Sequence, residues 1–234
     1  MRIYKFAANE VERDAVPTSV VVGGKGWGLL RMAALGIPVP PGFVIPAEVC
    51  RRYLLDGGFP DAFESTIDEG LAHLERCTGR SFGSQSRPLL VSVRSGASVS
   101  MPGMMDTVLN VGLLRTHLNE QGVELGPSRF LHDSYRRLLE LHCEAGSVAD
   151  AVRLSAIRAE VLENAGRNSV SELSLDWIRG LTLAYENELR GISRSLPQSP
   201  KKQLYESIEN VFRSWNNRRA RQFRVANGIP DDLG

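Results

Sequence analysis

The chain has 234 residues, of which 42% are apolar and 24% are charged, a composition typical of a folded globular protein with one large domain or two modest ones. The formal net charge of +1 gives no overall attraction to polyanions, so we predict neither a nucleic acid nor a membrane as a partner.

Three cysteines, Cys50, Cys77 and Cys143, stand without a CxxC pair, and we read no histidine at metal-ligand spacing from them. This sparse, odd count argues against a disulfide framework, and we predict no metal site. We interpret each cysteine as a small buried apolar residue. The opening MRIYKFAANEVERD lacks the apolar core of a signal peptide, and no apolar run has the length of a membrane span. We therefore expect a cytoplasmic protein.

The first part of the chain mixes strand and helix patterns. RIYKFA, TSVVVGG, GFVI and PLLVSVR have the apolar content and length of strands. Helical spacing predicts helices after Gly26, after Pro46, and over about residues 60–76, where Phe63, Ile67 and Leu71 share a face. Residues 1–113 are therefore predicted to form an α+β lobe.

From about Leu113 onward the pattern is helical. Apolar stripes around Leu131 and Leu181, without an intervening strand pattern, predict a helical subdomain over residues 114–197. SLPQSP resembles a linker, and Ser199 with Pro200 is a typical helix start. We predict that residues 198–234 form a C-terminal helical segment that returns to the first lobe.

VVVGGKGWGLL (residues 20–30) is predicted to be a strand, a glycine-rich turn and a helix, with Lys25 in the turn. Glycines allow several backbone N–H groups to converge, and a helix N-terminus and a lysine add positive charge, so the segment suits a phosphate. Its spacing fits neither a Walker A loop nor GxGxxG. A simple strand–helix turn with a solvated lysine is an equal alternative.

PLLVSVRSGASVSMPGMMDTVLN (residues 88–110) places Arg94 at the end of an apolar strand, on the face opposite Val91 and Val93. We expect this arginine to be partly desolvated, and its planar fork suits phosphate or carboxylate. Small residues after it allow close approach of a ligand or of another backbone. The alternative is that Arg94 pairs with a structural carboxylate and that the methionines fill a gap in the core.

Two further groups of residues receive structural interpretations. The basic tail predicts a solvated or salt-bridged face; its arginines are Arg213, Arg218, Arg219, Arg221 and Arg224. The histidines lie in helical or helix-flanking patterns and are interpreted as surface or packing residues; they are His73, His117, His132 and His142.

Four segments together resemble the N-terminal nucleotide-binding region of the pyruvate phosphate dikinase family: GGKGWGLLRMAALGIPVPPGFVI, PLLVSVRSGASVSMPGMMDTVLNVG, DSYRRLLE and VFRSWNNRRARQFRVANGIP. The resemblance implies the first lobe of an ATP-grasp-like domain with the helical subdomain inserted into it. That family transfers the β-phosphoryl group of ATP to a histidine on a swivelling domain, and a barrel domain then converts pyruvate to phosphoenolpyruvate.

By this resemblance, Lys25 and Arg94 hold ATP phosphates, and Arg94 has a catalytic role by stabilising charge on the transferred phosphoryl group. The resemblance also implies a loop of residues 101–107 over the nucleotide. The full implied ATP-binding set is Gly23, Gly24, Lys25, Gly26, Arg94, Ser95, Gly96, Ser98, Met101, Gly103, Asp106 and Thr107. Many members of the family have an arginine where this chain has Ser98.

The resemblance also implies Mg²⁺ with the ATP, although we assign no Mg²⁺ ligand, because the family's metal carboxylates belong to a second lobe expected after DDLG. We expect the chain to bind ATP and to be inactive alone until downstream domains or a second polypeptide complete the site. A half-site would also expose apolar surface and favour homo-oligomers. The alternatives are a free-standing nucleotide- or anion-binding regulatory module and a remnant that keeps only its structure.

Overall fold

The computed structural model describes residues 1–8, 10–11, 16–118 and 126–231 of the chain. It contains helices and two small sheets, which confirms the predicted α+β class. The elements in chain order are β1 (Tyr4–Phe6), α1 (Ser19–Ala34), β2 (Gly42–Val44), α2 (Ala47–Asp56), α3 (Phe63–Thr78), β3 (Val91–Arg94), β4 (Thr107–Val111), α4 (Ser128–Gly146), α5 (Val148–Asn164), α6 (Leu175–Gly191), α7 (Pro200–Arg213) and α8 (Arg218–Asn227). Within the described residues, no helix is both long and apolar enough to cross a bilayer.

The chain divides into two compact units. The first unit comprises residues 1–80, 94–105 and 211–234, and the second comprises residues 81–93 and 106–210. Two of the four divisions fall inside elements, one in β3 and one in α7, and the other two fall between elements. The predicted boundaries of the α+β lobe (1–113), the helical subdomain (114–197) and the C-terminal segment (198–234) are drawn differently from these units, and they stay a prediction.

The first unit is built around β1, β2 and the helices that follow them. β1 pairs antiparallel with β2, with Tyr4 opposite Val44 and Phe6 opposite Gly42. Phe6 packs with apolar residues of α1 in a buried cluster. The predicted helix over residues 60–76 is confirmed as α3, and its predicted apolar face is buried.

The predicted strand in TSVVVGG is wrong, because α1 already begins at Ser19. Val20 is 68% exposed and Val22 only 2%, whereas a strand would place both side chains on the same face. Val22 packs into the cluster around Phe6, and this tertiary contact overrides the strand preference of a valine run. Gly23, with φ 70° and ψ 163°, is non-helical and kinks α1 between residues 19–22 and the longer segment that begins at Gly24.

The second unit contains the α4, α5 and α6 helices and the two-stranded sheet of β3 and β4. The predicted stripes are buried, with Leu138, Ile178 and Leu181 fully enclosed. The predicted helix start near Pro200 is also confirmed, since α7 begins there and the Ser199 hydroxyl accepts a hydrogen bond from the Lys202 N–H at 3.4 Å.

Candidate functional site

Two sequence motifs touch within the first unit: the glycine segment (residues 23–26) and the strand-end loop (residues 94–105). The Gly24 N–H donates a hydrogen bond to the Ala97 carbonyl at 3.0 Å. A Cβ atom at Gly23 would overlap the Gly96 carbonyl oxygen, so the two backbones meet where no side chain fits. The motifs that the sequence analysis singled out separately therefore form one surface feature.

Each motif contributes one exposed cation. Lys25 follows Gly24 in the kinked helix, and Arg94 ends β3 two residues before Gly96. Neither side chain makes a hydrogen bond or an ion pair with another described residue, whereas many other arginines of the chain pair with carboxylates. Two whole positive charges on touching segments, without internal partners, favour an anion such as phosphate.

The expected partial desolvation of Arg94 is wrong. β3 alternates as predicted, with Val91 and Val93 partly buried and Ser92 and Arg94 exposed. The alternation correctly places Arg94 on the face opposite the valines, but that face is open to solvent at Arg94. An exposed guanidinium keeps its hydration until a ligand displaces it, so Arg94 is available for binding and contributes little to the fold.

Ser98 contributes an unusual hydroxyl to the same loop. Its Oγ is buried and has no hydrogen-bond partner in the described part of the chain. A buried hydroxyl without a partner costs about 1–3 kcal/mol, so a ligand oxygen that bonds to it would relieve this cost. The neighbouring Ser95 and Gly96 are partly buried, and their contact with a ligand stays a prediction.

The methionines of the strand-end loop pack against the C-terminal part of the first unit. Met101 is buried with Trp215 and Ala220, and Met104 and Met105 pack against the same cluster. This is the packing that the structural alternative predicted for them. Ligand contact by Met101, and by the exposed Gly103 with its φ of 71°, stays a prediction.

Asp106 and Thr107, the last two predicted binding residues, belong to the second unit. Both are partly buried, and Thr107 is the first residue of β4. Their roles toward a ligand stay predictions, as does the expected loop of residues 101–107 over a nucleotide.

One residue that holds the strand-end loop, Asn217, was not predicted from the sequence. Asn217 caps α8 by accepting the Ala220 N–H at 2.7 Å, and its side-chain amide donates to the Met104 carbonyl at 3.0 Å. The signal was present in the sequence, because an asparagine directly before a helical run is a typical N-cap. One asparagine thus fixes both a helix start and the loop that follows Arg94.

The basic tail is partly internal. Arg224 is 1% exposed, its Nε donates to the Asp231 carboxylate at 2.8 Å, and its guanidinium lies 4.3 Å from the centre of the Trp215 ring. Another of its nitrogens donates to the Trp215 carbonyl. The predicted salt-bridged role is therefore confirmed for Arg224, which stabilises the packing behind the strand-end loop.

Comparison with known protein families gives a match over most of the chain. The family is described as "Pyruvate phosphate dikinase, AMP/ATP-binding domain", and it matches residues 19–76 and 54–233. Both the glycine segment and the strand-end loop lie within the matched residues.

Three similar proteins are named pyruvate, phosphate dikinase. The protein of Rhizobium meliloti (strain 1021) is 38% identical over 234 residues, which cover 99% of this chain and 26% of the relative. The protein of Clostridium symbiosum is 36% identical over 237 residues, covering 99% and 26%, respectively. The chloroplastic pyruvate, phosphate dikinase 1 of Arabidopsis thaliana is 37% identical over 230 residues, which cover 97% of this chain and 24% of the relative. The chain thus spans about a quarter of the length of these relatives.

Proposed function

This chain belongs to the family of pyruvate phosphate dikinase AMP/ATP-binding domains, and from this premise we propose that it binds ATP with Lys25 and Arg94 on the phosphates. The proposal extends to the ATP-grasp-like character of the fold, of which this chain would supply the first lobe. It takes the glycine segment and the strand-end loop as the phosphate-facing surface.

The observation that carries the proposal is the backbone contact between the two motifs. The hydrogen bond from Gly24 to Ala97 joins the two segments that carry Lys25 and Arg94, and both of these side chains are exposed. Lysine acts as a mobile point charge, whereas the planar guanidinium can donate two parallel hydrogen bonds to a phosphoryl group. The buried Ser98 hydroxyl adds a donor that lacks a partner among the described residues.

We further propose a role for Arg94 in phosphoryl transfer within a larger assembly. Its guanidinium would stabilise the negative charge that develops as the phosphoryl group moves to a histidine supplied by another domain or a second polypeptide. Bound Mg²⁺ would neutralise part of the phosphate charge, and we assign no ligand for it among the described residues. On this view the chain binds nucleotide by itself and catalyses transfer only in that assembly.

A second candidate is a nucleotide- or anion-binding regulatory module without catalysis. The observation that favours it is that the described site offers cations, backbone groups and a hydroxyl, all of which suit binding. The two candidates can be distinguished by mixing this chain and ATP with the remaining domains of a related dikinase, supplied as a second polypeptide. Only the first candidate predicts that the histidine domain of that polypeptide becomes phosphorylated.

Calorimetric titration with Mg-ATP tests the binding proposal. We expect binding by the parent chain and a Kd at least about tenfold higher in Lys25→Ala and in Arg94→Ala, since hydrogen bonds to charged groups contribute about 1.5–3 kcal/mol.

Matched controls come from cations of the same unit that already have carboxylate partners. Lys5 pairs with Glu69 and Arg52 pairs with Glu48, so Lys5→Ala and Arg52→Ala should leave the Kd unchanged. The proposal would be refuted if the parent chain gave no heat of ATP binding, or if the Kd for Mg-ATP in both Lys25→Ala and Arg94→Ala equalled that of the parent chain.

A further inference from the structure

A group of three potential metal ligands lies in the first unit. Glu10 follows β1, whereas His73 and Cys77 lie on α3, and one ligand atom of each falls within 4.8 Å of those of the other two. The Cys77 sulfur is 3.7 Å from His73 Nδ1 and 3.8 Å from Glu10 Oε2. His73 Nδ1 is in turn 3.8 Å from Glu10 Oε2, so the three ligand atoms form a nearly equilateral triangle.

These spacings are close to those of a tetrahedral metal centre. With metal–ligand bonds of about 2.0–2.3 Å, the ligand atoms of a tetrahedral Zn²⁺ site lie about 3.3–3.6 Å apart. The observed separations exceed this range by only a few tenths of an ångström. The Cys77 sulfur also lies 3.8 Å from His73 Nε2, so it stands beside the ring and not along the Nδ1 lone pair. A rotation of the exposed Cys77 side chain must bring the sulfur to the Nδ1 side, and a rotation of the exposed Glu10 side chain closes the remaining difference.

The His73 ring is oriented by a backbone contact. Its Nε2 lies 3.2 Å from the Phe6 carbonyl oxygen, and because a carbonyl only accepts, Nε2 carries the proton. The neutral ring therefore has its lone pair on Nδ1, the nitrogen that forms the triangle. Metal-binding histidines in proteins usually donate their other N–H to such a group, which fixes the ring for the metal.

This geometry corrects two sequence interpretations. His73 precedes Cys77 by four residues, which places both on one face of α3, so Cys77 does have a histidine at metal-ligand spacing. Cys77 is also exposed, in contrast to the buried Cys50 and Cys143, so it is not a buried apolar residue.

We propose that Glu10, His73 and Cys77 bind a borderline-soft divalent cation of the Zn²⁺ type, with a fourth position left to water. Thiolate and imidazole select such metals over Mg²⁺, which prefers an octahedron of oxygen ligands. The bound ion would fasten the segment after β1 to α3. This site shares no residue with the proposed phosphate-binding surface, so a negative result for one proposal leaves the other unaffected.

Cobalt substitution tests the site directly in the full chain after treatment with EDTA. Co²⁺ should produce a sulfur-to-cobalt charge-transfer band in the near ultraviolet, and Zn²⁺ should displace it. Cys77→Ser should abolish the band, because only a cysteine sulfur can give it. Cys143→Ala is the matched control, since it removes a buried cysteine of the second unit and should retain the band.

The exposed Glu10 allows a second variant that leaves the buried His73 in place. Glu10→Gln should raise the Kd for Zn²⁺ at least about tenfold, the lower end of the cost of disturbing a metal site. In the parent chain Zn²⁺ should also raise the Tm, and this rise should disappear in Cys77→Ser.

Three outcomes would overturn the proposal: no cobalt band in the parent chain, a band that survives in Cys77→Ser, or unchanged Zn²⁺ affinity in Glu10→Gln. The affinity for Mg-ATP should be the same in Cys77→Ser and in the parent chain.

Discussion

A buried cation of the second unit and the two exposed cations of the proposed site in the first unit differ in what they contact. In the second unit, Arg136 is buried and pairs with Asp133 at 2.8 Å and with Glu140 at 2.6 Å. In the first unit, Lys25 and Arg94 are exposed and have no ion-pair partner in the described part of the chain. The comparison distinguishes cations used to hold the fold from cations left for a ligand.

The physical basis of this difference is solvation. Burying a guanidinium removes its hydration, so the cost must be met by carboxylates, and Tyr185 completes the arrangement with a hydrogen bond to Glu140 at 2.5 Å. Attraction to both carboxylates outweighs this desolvation and raises the pKa of Arg136. An exposed, unpaired cation adds almost nothing to folding, and its charge remains available to an anion.

The largest effect on stability is expected for Arg136→Ala. Removing the buried guanidinium leaves Asp133 and Glu140 paired only with the more exposed Arg137 and Arg158, so we expect a loss in the free energy of unfolding near the lower end of the about 3–5 kcal/mol that breaking a buried ion pair costs. Urea denaturation followed by circular dichroism measures it. Arg137→Ala is the matched control, because Arg137 is the next residue, also pairs with Asp133, and is 57% exposed; its loss should cost at most about 0.5 kcal/mol. Equal costs for the two variants would contradict the comparison.

An intermediate effect is expected for Gly23→Ala. The added Cβ would overlap the Gly96 backbone, and φ is unfavourable for alanine, so we expect a loss of about 2–3 kcal/mol together with weaker Mg-ATP binding. Gly57→Ala separates the two causes, because Gly57 has a similar φ of 74° but nothing within 4 Å of its Cβ position. That control should lose about 1 kcal/mol and keep ATP affinity. If both variants lose the same free energy of unfolding, the overlap with Gly96 is not the cause of the destabilisation in Gly23→Ala.

The smallest effect on stability is expected at the proposed site itself. Lys25→Ala and Arg94→Ala should change the free energy of unfolding by no more than about 0.5 kcal/mol, because neither side chain holds a described partner. The same urea experiments measure it. A loss above about 1 kcal/mol in either variant would mean that the cation supports the fold, and the contrast with Arg136 would disappear.

Periodicity predicted the helices well where burial follows a single face. The pattern through Phe63 and Ile67 became α3, and the stripe around Leu181 became the buried face of α6. In each case the apolar spacing itself specifies which side of the helix leaves water. The strand predicted for the valine run before Gly23 was wrong, because three valines are too few to separate strand from helix, and contact with Phe6 decided the outcome.

The candidate sites were predictable only in part. Arg94 was correctly placed at a strand end, but alternation reports the face of a strand and not whether anything covers that face. The spacing of His73 and Cys77 is present in the sequence, whereas Glu10 comes from a distant segment that only folding brings to α3.

The sequence by itself determined the α+β class, most helices, and the two motifs that carry Lys25 and Arg94, because local spacing and residue type act within a few residues. Only the tertiary structure decided that Gly24 bonds to Ala97, that Met101 packs against Trp215, and that Arg94 stays in solvent. Such contacts join residues far apart in the chain, and their free energy depends on what surrounds each group once water has been excluded.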